Sequence, residues 1–243
     1  MTESFVKDMR FCADALGFVL DDYKLGLLFR YYEMLIEKNK VMNLTSITEE
    51  ADVVRKHFID SLSIVKIFDL GSQDGLSLID IGTGAGFPGL VLKIVFDNVK
   101  VTLFDSLNKR LNFLNDVIDE LNLKDVYTVH GRAEDFAHKD GFRESFDLVV
   151  SRAVANLSTL SELCIPFVKK NGVFIAYKSG NCFEELSDSE KAIRVMGGAV
   201  YNTESFFIPG TDMARTLIMI KKSGLTPKKY PRKAGLPGKI PIK

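Results

Sequence analysis

The sequence predicts an α/β protein: a mostly parallel seven-stranded sheet with helices on both faces and an N-terminal helical extension. Three observations predict it. Between residues 76 and 178, five short apolar runs alternate with helix-length segments, the pattern of crossover units in a parallel sheet. Two more strand-like runs follow with only a short IPGTD segment between them, which makes them an antiparallel pair. Ahead of the sheet, the first 70 or so residues carry apolar positions at helical spacing.

Taken in order, Asp21 or Asp22 caps a helix on which Leu28, Tyr31 and Leu35 share one face. Thr48-Glu49-Glu50 opens a second amphipathic stretch with Val54, Phe58, Leu62 and Val65 on one side. The five parallel strands are LSLIDIG (76–82), VKVTLFD (99–105), DVYTVH (125–130), SFDLVVSRAV (145–154) and GVFIAYK (172–178). Segments 88–97, 107–122 and 156–170 supply helices between them, and 199–208 and 214–221 form the final pair. The chain thus divides into a helical extension (1–70), a core (71–222) and a basic Pro/Gly-rich tail (223–243).

With 243 residues, 46% apolar and 26% charged, the composition is that of a globular domain with an appendage. Cys12, Cys164 and Cys182 lie far apart with no CxxC pair, which excludes a disulfide framework and argues against a metal site. Cys164 is expected in packed core. No apolar run reaches membrane-spanning length and MTESFVKDMR has no secretory pattern, so no membrane partner is expected and the cytoplasm is the expected compartment.

The net charge of zero hides an asymmetry. Residues 221–243 hold eight cations and no acid, while the rest holds 24 cations against 32 acids. Such a tail suits a polyanion such as nucleic acid. Its four prolines argue against a helix lying on a membrane. The bland reading is a disordered solubilising end.

The most informative segment is Asp80-Ile81-Gly82-Thr83-Gly84-Ala85-Gly86-Phe87-Pro88-Gly89, between the first strand and its helix. Ligands of open α/β sheets bind beyond the carboxyl ends of the strands. The pattern GxGxG followed by Phe87 departs from the dinucleotide GxGxxG, and no phosphate-cradling GxxxxGK[ST] is present. With an acid two residues ahead, it resembles motif I of S-adenosylmethionine-dependent methyltransferases. Asp105, ending the second strand, can accept both ribose hydroxyls of an adenosyl group or cap the next helix. Glu134, after the third strand, lies where an adenine edge would be read, or in a solvated acidic loop.

Together with these, Asn43-Leu44-Thr45, His57-Phe58-Ile59-Asp60-Ser61-Leu62, Gly131-Arg132-Ala133-Glu134, Ser151-Arg152-Ala153, Tyr177-Lys178 and Tyr230-Pro231-Arg232-Lys233-Ala234-Gly235 run in order along the chain. In these pieces the chain resembles the RsmG (GidB) family of bacterial 16S rRNA guanine-N7 methyltransferases. Lys178 followed by Ser179-Gly180 is a small departure, since glycine is expected sooner. The resemblance implies a Rossmann-like S-adenosylmethionine-dependent methyltransferase core acting on 16S rRNA or the small ribosomal subunit. It also implies that Gly82, Phe87, Ala133, Glu134 and Arg152 contact S-adenosyl-L-methionine; Gly84 joins them as part of the loop.

Guanine N7 carries an in-plane lone pair and no proton, so its methylation needs positioning rather than a base. No catalytic acid, base or nucleophile is expected. Neither an Asn/Asp-Pro-Pro-aromatic run nor a nucleophilic Pro-Cys follows the fourth strand. Arg152 could steer the guanine or the methionine carboxylate, with a salt bridge to Asp80 or Glu134 as the plainer role. For His57 a structural role is expected over a substrate contact. Lys178, Arg215, Arg232 and Lys233 are candidate contacts to rRNA phosphates. The competing functions are a small-molecule methyltransferase, a non-catalytic RNA-binding module and, more distantly, a dinucleotide-dependent dehydrogenase.

Overall fold

A computed structural model describes residues 1–72, 74–152 and 155–243; Ala153 of the Ser-Arg-Ala piece lies outside them. The extension begins with helices α1 (Glu3–Ala15) and α2 (Asp22–Asn39). Asp21 is the cap of α2, its side chain accepting the Lys24 N–H at 2.7 Å. A composite helical run follows. It comprises α3 (Glu50–Val53), a π-helical turn (Val54–Ile59), α4 (Asp60–Leu62) and a 3-10 turn (Ser63–Lys66).

The core then alternates. Its elements are β1 (Ser77–Ile81), α5 (Gly89–Val95), β2 (Lys100–Asp105), α6 (Asn108–Glu120), β3 (Val126–His130), α7 (Ala133–Phe136), β4 (Phe146–Ser151), α8 (Leu157–Cys164) and β5 (Val168–Ser179). Helix α9 (Phe183–Val195) leads to the pair β6 (Gly198–Phe207) and β7 (Ala214–Lys222). The seven strands lie in the order β3-β2-β1-β4-β5-β7-β6. Strands β1 to β5 pair in parallel, and β7 runs antiparallel to both β5 and β6. The order reverses between β1 and β4, so the ligand crevice of such a sheet opens beyond their carboxyl ends.

Strand residues divide between two hydrophobic clusters with a period of two. Leu78, Leu103, Leu148, Val150 and Ile175 face the side covered by the N-terminal helices, α5 and α6. Ile79, Phe104, Val149 and Phe174 face the side covered by α7, α8 and α9. Phe5, Tyr31 and Phe58 of the extension are fully buried in the first cluster, so extension and sheet share one core. Burial of each such side chain contributes roughly 1.5–3 kcal/mol.

Two elements differ from the sequence expectation. The helix expected over 156–170 ends at Cys164, because Pro166 sits in a 3-10 turn that turns the chain into β5 at Val168. Helix α9 was not foreseen: only Ser189, Ala192 and Ile193 of it are buried, too sparse an apolar stripe to register. Residues 223–243, for which a disordered solubilising end was the bland reading, pack against the core and contain a short helix, α10 (Leu236–Lys239). Arg143 donates to the carbonyls of Thr226 (2.7 Å) and Tyr230 (3.0 Å), and Thr159 donates to the Pro237 carbonyl at 3.0 Å. Among the described residues, no helix is long and apolar enough to cross a membrane.

Candidate functional site

The loop after β1 is held by two carboxylates. Asp80 is fully buried, and its Oδ2 accepts the Thr83 hydroxyl (2.7 Å) and the Gly89 N–H (2.8 Å). These bonds tie the start of the loop to the start of α5. Burial raises the Asp80 carboxyl to a pKa of about 6, although both hydrogen bonds oppose the shift. Among the described residues, its Oδ1 has no hydrogen-bond partner. Asp105, at the end of β2, receives the Gly84 N–H on Oδ2 and the Leu107 N–H on Oδ1, both at 2.9 Å. It therefore supports the loop and caps the turn into α6 at once. Each oxygen retains a lone pair for a further donor such as a ribose hydroxyl.

Two glycines show why side chains are excluded. Gly84 has φ +60° and lines the open site, and a Cβ placed on it would meet no described atom within 4 Å. Gly86 has φ +103°, and a Cβ there would strike the Tyr31 hydroxyl and Leu114. The Tyr31 hydroxyl, brought from α2, donates to the Ala85 carbonyl and fixes the loop from behind.

In front of the loop lies a cavity of about 610 Å³, within the usual size for a small-molecule site. Ile81, Phe104 and Leu160 give it apolar walls for a flat heterocycle, and Gly82, Gly84 and Asp105 line it beside them. Ala133 and Glu134 line its far edge at the start of α7. Glu134 is not an open acid: its Oε1 accepts the Gly235 N–H of the tail at 2.9 Å. The apolar walls and the Asp105 carboxylate together fit an adenosyl group.

At the mouth, Phe87 is stacked between the rings of His57 (4.3 Å, 11°) and Tyr31 (5.6 Å, 29°). His57 comes from the π-helical turn, and its Nδ1 lies 3.2 Å from Arg152 Nη2. A guanidinium only donates, so Nδ1 accepts and the ring proton sits on Nε2, 2.8 Å from Thr45 Oγ1. Burial, then the neighbouring Arg152 charge, lowers the His57 pKa to about 3. The imidazole is thus neutral, with both nitrogens engaged. Arg152 also donates to the Lys56 carbonyl (3.1 Å) and to Asp60 Oδ2 (3.0 Å). Its ion-pair partner is Asp60, neither Asp80 nor Glu134 as the plainer sequence reading had it.

Asp60 reaches further: its Oδ1 accepts Arg215 Nε at 2.9 Å. A second cavity, of about 290 Å³, opens here beyond the ends of β4 and β5. Lys56, Asp60, Tyr177, Lys178 and Arg215 line it, and it shares His57, Arg152 and Ala155 with the first. Two of the four candidate RNA residues, Lys178 and Arg215, therefore meet at one place. Lys178 is partly engaged, by Glu185 at 2.7 Å and the Ala155 carbonyl at 2.8 Å.

The other two separate. Arg232 is committed to the core: it forms paired hydrogen bonds with Glu162, whose side chain is 1% exposed. Lys233 is exposed. Lys222, counted with the tail cations, is buried between Glu144 (2.9 Å) and the Ile165 carbonyl (2.9 Å). Sequence reasoning gave no role to Asp60, although its His-Phe-Ile-Asp segment was noticed. Tyr31 read only as a core position on a helical stripe. The long-range pairing of α4 with β4 and β7 leaves no local signal.

A family model for rRNA small subunit methyltransferase G matches residues 24–213. The chain is 51% identical over 239 residues to the ribosomal RNA small subunit methyltransferase G of Lachnoclostridium phytofermentans, covering 98% of this chain and 96% of that one. The protein of the same name from Pediococcus pentosaceus is 49% identical, with 93% of each chain covered. Among solved structures, MtNAS in complex with MTA and tNA superposes with a TM-score of 0.53 at 15% identity, over 82% of this chain and 72% of that one. TrmN from Thermus thermophilus gives a TM-score of 0.52 at 14% identity, over 68% of this chain and 48% of that one. The structural likenesses show the fold.

Proposed function

The chain belongs to the rRNA small subunit methyltransferase G family, and on that premise we propose that it methylates ring nitrogen N7 of a guanine in 16S rRNA. It is an rRNA small-subunit methyltransferase with S-adenosylmethionine as its methyl donor. The finer reading, N7 of guanine, is supported by one observation: among the described residues that line both cavities, no side chain is free to take a proton. His57 is neutral with its Nδ1 lone pair occupied, and the Asp60 carboxylate is held by two arginines. An acceptor with a proton to lose, such as an exocyclic amine or a hydroxyl, would find no base there. N7 needs none.

S-adenosylmethionine, when bound, supplies a methyl group made electrophilic by a positively charged sulfur. The residues of this chain position that methyl and its acceptor. Asp105 and the Gly82–Gly84 backbone hold the nucleoside end, with Ile81, Phe104 and Leu160 around the heterocycle. Arg152 lines the same cavity and is a charged group available to the amino-acid end of such a ligand. The guanine enters the second cavity, where Lys56, Lys178 and Arg215 attract its phosphates. Arg152 and His57 stand on the boundary and orient the two reactants along one line. As the methyl passes from sulfur to N7, the positive charge passes with it to the guanine ring, so the reaction creates no new net charge.

Labelled methyl transfer to 16S rRNA from a strain lacking this gene tests the reading. N7-methylguanine is positively charged, so the product is expected to cleave at one guanine after mild reduction. A methyl group found on an exocyclic amine would refute the N7 assignment.

A further inference from the structure

Next to the acceptor cavity lies a third opening of about 310 Å³ that the methyl-transfer reaction does not use. It sits where β5 ends and β7 begins. Gly180 N–H donates to the Ala214 carbonyl at 3.0 Å, and the Thr216 hydroxyl donates to the Gly180 carbonyl at 2.8 Å. Phe183, Phe206 and Phe207 line it together with Asn181 and Arg215. Phe183 opens α9 and Phe207 ends β6, and each is 64% exposed. Single exposed apolar side chains are ordinary, but several phenylalanines around one opening are not.

Arg215 joins the two openings. It lines both this groove and the acceptor cavity, while its Nε is fixed to Asp60. Ser179 lines the one and Gly180 the other, so the two openings are continuous along the end of β5. A chain with one residue in the acceptor cavity places its next residue at this groove. Resting on the reading that the acceptor is RNA, we propose that the Phe183–Phe207 groove stacks the unpaired base adjacent to the target guanine. Aromatic faces are how proteins hold unstacked RNA bases without reading their edges. Glu184, exposed in the first turn of α9, keeps phosphates off that side, while Glu185 is paired with Lys178. The backbone therefore runs on the Arg215 and Lys56 side, and the groove takes the base.

The chain contains no tryptophan, so Phe183→Trp or Phe207→Trp installs a single reporter in the groove. Adding an oligoribonucleotide that contains the target guanine and its neighbours is expected to quench that emission, with no methyl donor present. Phe183→Ala and Phe207→Ala are expected to raise KM for the RNA on the order of 10- to 100-fold, the usual cost of a lost base stack. Affinity for S-adenosylmethionine, measured by calorimetry, stays at the wild-type value in both alanine variants. Unquenched emission at saturating RNA, or alanine variants with wild-type KM, would overturn the proposal. So would loss of a dimer in the alanine variants by light scattering, which would assign the patch to a second copy. If the methyl group instead proves to lie on another atom of the RNA, quenching still reports on the groove, so the two readings fail separately.

Discussion

Gly84→Ala separates ligand space from fold. The residue sits at φ +60°, where a side chain costs about 1–2 kcal/mol. Replacing glycine also stiffens the unfolded chain, which returns roughly 0.4–1 kcal/mol. The net loss is then about 1 kcal/mol, a fall of roughly 2–4 °C in Tm for a chain of this size. Among the described residues, no atom lies within 4 Å of the new methyl's position. Gly84 lines the donor cavity beside Asp105, so the methyl is added at that wall. An intruding methyl in a fitted site costs about 1–3 kcal/mol, so affinity for S-adenosylmethionine should fall on the order of 10- to 200-fold. Gly86→Ala is the contrast. Its Cβ would strike the Tyr31 hydroxyl and come within 2.9 Å of Leu114 Cδ2. Overpacking there adds about 1–3 kcal/mol to the backbone strain, so the main loss is stability. Calorimetric titration and thermal melting of both variants decide the matter. A Gly84→Ala protein that melts near wild type and binds the donor as tightly would refute the assignment of the loop.

The rate of methyl transfer at saturating substrates should be flat from about pH 7 to pH 9, because His57, at about 3, does not titrate there. A limb in that range would reveal a general base. His57 has its folded pKa depressed from 6.5 to about 3, so its neutral form contributes stability above pH 6.5 that is lost as pH falls toward 3. Denaturation of His57→Gln across that window should show a shallower acid loss than wild type. Asp80 acts in the opposite sense: its raised value of about 6 relieves a burial cost as pH falls from 6 toward 3.8. Arg232→Ala strands the buried Glu162 carboxylate and should cost about 3 kcal/mol in urea denaturation, with part recovered in the Arg232→Ala/Glu162→Gln double variant. Equal stability of the single variant and wild type would mean that the tail detaches in solution.

The parallel strands were legible because each is a short buried run ending at a turn, and β1, β2 and β3 fall within one residue of the segments read from sequence. The glycine loop and Asp105 were legible because a backbone turn and a strand-end acid are local patterns. The Arg152–Asp60–Arg215 chain was not, since its members are 92 and 155 residues apart and only the sheet order joins them. The packing of the tail was hidden for a related reason. Its charge and prolines are compatible with a disordered end, but the buried Glu162 and the Glu134 carboxylate that tie it down come from α8 and α7. Local composition reports how a segment behaves alone, not what a distant acid does with it.

The Tyr31 hydroxyl on the Ala85 carbonyl, with its ring against Phe87, makes the donor loop a joint product of two stretches more than fifty positions apart. Neither stretch can be inherited or transplanted without the other. A graft of this loop onto a bare sheet of the same topology would lack its backing and lose its shape. Relatives that alter the aromatic at 31 must therefore alter the loop in step, and chimaeras that divide the chain between α2 and β1 are expected to fold yet hold their donor poorly.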